Sequence, residues 1–311
     1  MAPGRRQDVP GRQLELLDRC TVVVERADPH GTRREMHRAR IVDVERDHSV
    51  IHGERFDFSP GHGLRRPVEA RNSHLHSDGN PQPSPFLGHA AFQVESPAGT
   101  TILIDPFLSQ NPQTPAGQRD LTPYFPHAIL VTHSHLDHAL DAAAIATTSG
   151  APIIASVEHV TAFDVPIAQQ SGGNVGGTFT VGDVTITLVP AMHSSDPGGR
   201  PLGFILETPG APTVYHTGDT WIFGDMALIQ EIYAPSVLLL QTGGGPFNQN
   251  PTTARLAVTK YFTTATAIVP MHFGTFAGLA TETDVRTAFA GESRLTVMTP
   301  GQTTTFTTPV P

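Results

Sequence analysis

The chain has 311 residues, enough for one large domain or two small ones and for a sizeable core. Its formal net charge of −9 is uneven: residues 1–85 hold 14 arginines against 13 acidic residues, and residues 86–311 hold 6 basic against 16 acidic. An acidic body excludes broad phosphate-backbone binding, no apolar run is long enough to span a bilayer, and the polar N-terminus has no secretory core, so a soluble cytoplasmic protein without nucleic-acid or membrane partners is expected.

Residues 1–85 read as an Arg- and His-rich extension. Short β-like runs occur at 21–25 and 39–45, and residues 72–85 (NSHLHSDGNPQPSP) have linker composition. This extension is expected to be poorly ordered, leaving 86–311 as the folded domain. From residue 86 the pattern predicts a hairpin over 90–95 and 100–104, then a short buried strand over 128–132. An alanine-rich helix follows over 139–148, stopped by Gly150 and Pro152, with a strand over 153–156. A β-rich stretch comes next: 178–181, 184–189, 204–208 and 213–216. Helices over 224–232 and 252–262 each lead into a strand, at 237–240 and 267–270. Thr281 is expected to cap a helix through Phe289, ahead of a strand pair at 295–298 and 303–307. Two β-rich halves with helices outside predict a layered α/β/β/α sandwich.

The chemistry concentrates in Thr132-His133-Ser134-His135-Leu136-Asp137-His138, three imidazoles and one carboxylate within six residues, directly after a strand. Imidazole and carboxylate are the ligands that zinc and similar divalent ions accept at catalytic sites. The only cysteine, Cys20, lies outside the folded domain, so a thiolate site is excluded there. His193, Asp219 and His272 each follow an apparent strand, and strand ends give rigid placement with ligand access.

Asp105, the THSHLDH segment, His193, Gly218-Asp219-Thr220 and His272 in PMHFGTF resemble the five ordered motifs of the metallo-β-lactamase superfamily. The resemblance is to its uncharacterised metal-dependent hydrolase branch, related to the L-ascorbate-6-phosphate lactonase group. LGHAAF at 87–92, ILIDPFLSQNP at 102–112 and the glycines at 243–245 add to it, and it covers about residues 86–289. It implies an αββα sandwich with two divalent ions, zinc by default and manganese, nickel or iron as alternatives. His133, His135 and His193 would hold one ion, Asp137, His138 and His272 the other, and Asp219 would bridge them. Asp105 would orient a ligand imidazole from beneath. His89 and His216 would line the pocket or serve structure.

Two ions about 3.5–4 Å apart activate a shared water for attack on a carbonyl or phosphoryl centre, with Asp137 and Asp219 at the catalytic heart. The resemblance therefore implies a hydrolase of small-molecule esters, lactones or phosphoesters. It also leaves room for a homo-oligomer. The alternative is a non-catalytic metal-binding sensor or scaffold. The sequence departs from the branch at Leu136, bulky where relatives carry small residues, and at Pro246-Phe247-Asn248-Gln249-Asn250, a loop expected to border the substrate.

Overall fold

The computed structural model describes residues 85–195 and 199–307, so the expectation for residues 1–84 lies outside the described residues. Two six-stranded mixed sheets form the centre. The first runs in chain order: β1 (Phe86–Gly88), β2 (Ala91–Glu95), β3 (Thr101–Ile104), β4 (Ala128–Leu130), β5 (Ile153–Ser156) and β6 (Gln170–Gly173). β1 to β3 pair antiparallel, and β3 to β6 pair parallel. The second comprises β7 (Thr178–Val181), β8 (Val184–Pro190), β9 (Leu202–Glu207), β10 (Val214–His216), β11 (Val237–Gln241) and β12 (Ala267–Met271). β7 to β10 form an antiparallel meander, and β10 to β12 are parallel.

The strand period of two divides each apolar run between two cores. Ile102 and Ile104 of β3 cluster with Ile186, Leu188 and Phe204 across the sheets, whereas Leu103 joins the helix-side cluster with Ala142 and Ile145. On the second sheet Val237 and Leu239 face inward, and Leu238 and Leu240 pack with residues of the outer helices. Those helices are α1 (Leu136–Ala139), α2 (Ala142–Ser149), α3 (Val157–Val160), α4 (Met226–Tyr233), α5 (Pro251–Lys260) and α6 (Glu282–Ala288). The result is the expected αββα sandwich.

Two expectations need correction. The helix over 139–148 is broken into α1 and α2 because Asp141 is held by another loop: its carboxylate accepts from the backbone N–H of Leu108 (2.6 Å) and Ser109 (2.8 Å) and from the Ser109 hydroxyl (2.6 Å). The strand pair at 295–298 and 303–307 is replaced by two single bridges, Ile268 with Leu295 and Pro85 with Thr303. The end of the domain binds existing sheet edges one residue at a time instead of pairing with itself. The Thr281 cap is present with its reciprocal partner Asp284. Among the described residues no helix is long and apolar enough to cross a membrane.

Candidate metal centre

The chemistry-bearing residues follow the carboxyl ends of strands. Asp105 follows β3, His133 to His138 follow β4, His193 follows β8, Asp219 follows β10 and His272 follows β12. β3 and β4 run parallel, as do β10, β11 and β12. β8 points the same way as β10, because each is antiparallel to β9 between them. These strand ends collect at one rim of the sandwich.

All seven predicted site residues meet there. His133 Nε2 lies 3.0 Å from His135 Nδ1, which lies 3.3 Å from His193 Nε2. Asp219 Oδ2 is 3.0 Å from His272 Nε2, 3.4 Å from His138 Nε2 and 3.7 Å from His193 Nε2. Asp137 Oδ2 is 3.6 Å from His272 Nε2 and 4.0 Å from His138 Nε2. Among the described residues three overlapping groups could hold metal: His133, His135 and His193; His133, His138 and Asp219; and His89, Asp137, His138 and His272.

The surroundings fix which ring nitrogens face the cluster. The Thr132 hydroxyl donates to Asp105 (2.8 Å), so its oxygen is left to accept from His133 Nδ1–H (3.0 Å), and His133 Nε2 faces the cluster. Asp105 also takes His138 Nδ1–H (2.7 Å) and the Thr132 N–H (2.8 Å), which leaves His138 Nε2 inward. His216 has no nitrogen to offer: Nδ1 accepts from the Gly218 N–H (3.2 Å) and Nε2 donates to the Ala90 carbonyl (3.0 Å). It is a structural residue.

Three site residues occupy the left-handed backbone region, His89 (φ 57°), Asp105 (φ 47°) and His272 (φ 67°). Non-glycine residues rarely sit there unless the surroundings hold them. The hydrogen bond from the His272 N–H to the His89 carbonyl (2.8 Å) locks two of these bends to each other. Gly243 must lack a side chain, since a Cβ there would collide with the carbonyl oxygen of His272.

Electrostatics follow from burial and from the packing of opposite charges. Burial, together with neighbouring His272, pushes His89 down to about 3. Burial and His138 likewise hold His133 well below the ordinary imidazole range. For His138 and His272 burial works the same way but is outweighed. Asp219 and Asp105 hold His138 well above its ordinary value, and Asp219 and Asp137 raise His272 to about 9. Burial would raise both carboxyls, yet hydrogen bonds from His272 and His89 keep Asp137 low, and His272 and His138 do the same for Asp219.

Some buried atoms still have no aligned partner: Nε2 of His138, Nε2 of His272 and Oδ1 of Asp219. Leaving such groups unsatisfied costs about 1–3 kcal/mol each. Lone pairs of imidazole and carboxylate converging on common points are the donor set a divalent cation fits.

Sequence reasoning named His89 as a pocket-lining or structural residue but missed the other supporting residues. Asn248 Nδ2 donates to Asp219 Oδ2 (2.6 Å). His89 reaches Asp137 Oδ2 through Nε2 (3.0 Å) and Thr275 Oγ1 through Nδ1 (2.8 Å), and Thr275 donates to Gln113 Oε1 (2.9 Å). The glycine run and PMHFGTF marked the loops, but a lone amide or hydroxyl has no spacing signature. A cavity of about 520 Å³ opens over the cluster, with Phe247, Phe276, Ala277 and Leu279 on its walls.

A family model described as a β-lactamase superfamily domain matches residues 100–290. A UPF0173 metal-dependent hydrolase from Anaeromyxobacter dehalogenans (strain 2CP-1) is 39% identical over 242 residues, covering 71% of this chain and 85% of the relative. One from Myxococcus xanthus (strain DK1622) is 42% identical over 233 residues, covering 70% and 81%. The solved structure of Igni18, a metallo hydrolase from Ignicoccus hospitalis, superposes with a TM-score of 0.62 at 33% identity, covering 73% of this chain and 98% of that one. With the sandwich and the rim cluster in place, these likenesses put the chain in the metallo-β-lactamase superfamily, among its metal-dependent hydrolases.

Proposed function

We propose that the chain hydrolyses an ester, lactone or phosphoester bond of a small molecule at a dinuclear centre, with esters and lactones the first candidates. His133, His135 and His193 would hold one divalent ion and Asp137, His138 and His272 the other, with Asp219 available to both. Zinc is the default ion, with manganese, nickel or iron as alternatives for an all-nitrogen and oxygen site. When bound, such a pair supplies an activated water and polarises the substrate oxygen.

The chain's own residues do the rest. Asp105 and Thr132 orient His138 and His133, as the hydrogen bonds at 2.7 and 3.0 Å indicate. Asn248 steadies Asp219, and the His89–Thr275–Gln113 chain steadies Asp137. The observation that carries the reading is the convergence of the seven predicted residues, three of which, His138, Asp219 and His272, present buried atoms without an aligned partner.

Elemental analysis of the purified protein tests it. Wild type should carry about two equivalents of transition metal, and His133→Ala and Asp219→Ala should each lose most of one or both. Wild type that stays empty after supplementation refutes the hydrolytic reading and favours a metal-free scaffold.

A further inference from the structure

The walls of the 520 Å³ cavity differ in character from its floor. The floor is His135, Asp137, His193, Asp219 and His272, and the walls are Phe247, Phe276, Ala277 and Leu279. Among the described residues no lysine or arginine lines it. Phe247 is 66% exposed and Phe276 43%, large apolar side chains presented to whatever enters. Leu136 and Met192, each adjacent in the chain to a residue of the cluster, are exposed as well.

These walls are built in advance. The loops carrying them are tied together by the Ala280 N–H to the Gly243 carbonyl (2.7 Å) and by the Gly274 N–H to the Ala280 carbonyl (2.8 Å). Asn248, next to Phe247, is anchored on Asp219, and the Phe276 ring packs 5.4 Å from His89 and 6.2 Å from Phe107.

A phosphate or carboxylate on the part of a substrate that is not reacting would be desolvated against Phe247, Phe276 and Leu279, with no lysine or arginine among the described wall residues to pair with it. It would also approach through the field of a domain with 16 acidic residues against 6 basic. An aryl or alkyl group would instead gain contact area. We infer that the substrate is a neutral ester or lactone whose non-reacting part is an aryl or alkyl group seated against Phe247, Phe276 and Leu279. This rests on the hydrolytic reading above and excludes phosphorylated sugar lactones and other substrates with an anionic tail.

The test uses the metal-loaded enzyme and two esters alike in leaving group and chain length. 4-Nitrophenyl hexanoate has a methyl terminus, and the mono-4-nitrophenyl ester of adipic acid has a carboxylate there. The neutral ester should be favoured at least about 100-fold in kcat/KM. Phe247→Ala should raise its KM about 10-fold with little change in kcat or metal content. Phe247→Arg should close most of the gap between the two esters. Equal rates for both, or a Phe247→Arg variant with wild-type preference, would overturn the inference.

If the loaded enzyme hydrolyses neither, the hydrolytic reading fails for acyl esters and the pocket is tested by binding. N-(4-nitrophenyl)hexanamide and its adipic-acid counterpart are titrated calorimetrically. Preference for the neutral amide, lost in Phe247→Ala, upholds the apolar assignment, and no preference refutes it.

Discussion

Asp105 ends β3 and uses both carboxylate oxygens inside the protein, Oδ1 on the Thr132 N–H and Oδ2 on the Thr132 hydroxyl and His138 Nδ1. It never lines the cavity, yet it sets the tautomer of His138 directly and that of His133 through Thr132. Asp105→Ala should therefore weaken metal binding by about 10- to 100-fold, as loss of a ligand's outer partner typically does. Competition with a chromogenic chelator measures this, and an unchanged affinity would remove Asp105 from the site. Protons compete for the same nitrogens. His272, raised to about 9, carries a proton at neutral pH in the metal-free protein, and that proton must leave before metal binds. Affinity should thus rise by up to about tenfold per pH unit from 6 toward 9 for each proton displaced, then level. A pH-independent affinity over that range would show that no proton is displaced.

At the scale of elements, the end of α5 and the turn after α6 are locked by two residues. Arg294 donates Nη1–H to the carbonyls of Phe262 and Ala265 (3.1 Å each), while Nε and Nη2 hold Glu292 (2.8 Å each). Glu292 also meets Arg255 of α5 at 2.9 Å. The hydrogen bonds from Arg294 hold the Glu292 carboxyl down, to about 2 from a reference of 4.5. A depressed carboxyl stabilises the fold above the unfolded pKa, and that contribution is lost as pH falls from about 4.5 toward about 2. Glu292→Gln should therefore cost about 1–3 kcal/mol at pH 7. Urea unfolding at pH 7 and pH 4 should show the gap from wild type narrowing at the lower pH. A gap that stays constant would mean that the charge is not what matters.

The same scale shows why parts of the fold could be read in advance. β4, β5, β11 and β12 are short, mainly apolar runs that are buried along their whole length, and the sequence pattern marks each within a residue or two. β6 is Gln-Ser-Gly-Gly at a sheet edge, with no apolar alternation to announce it. The break between α1 and α2 depends on Asp141 meeting residues more than thirty positions earlier, which no local pattern encodes. In the cluster, His and Asp are scarce enough for their spacing after strands to be informative. Asn248, Thr275 and Gln113 are ordinary polar residues whose role exists only once distant loops meet.

At the scale of the whole molecule, the clustered histidines and aspartates among the described residues lie at one rim. A second cavity of about 170 Å³ between the sheets is lined by residues such as Phe92, Val94, Leu206, Val214 and Met298, and none of the clustered histidines reaches it. The reactive groups belong to the larger cavity, where a net-acidic domain meets a cation site.

The single bridge between Pro85 and Thr303 has a topological consequence. The Phe86 N–H bonds the Gln302 carbonyl (2.9 Å) and the Gly301 N–H bonds the Phe86 carbonyl (2.7 Å), so the first strand of the domain is finished by nearly its last residues. The described chain thus comes almost full circle, with Pro85 and Thr303 side by side. Such a unit can be spliced as one cassette into a surface loop of another protein, or reopened at a different loop with the old ends joined, while every strand keeps its neighbours.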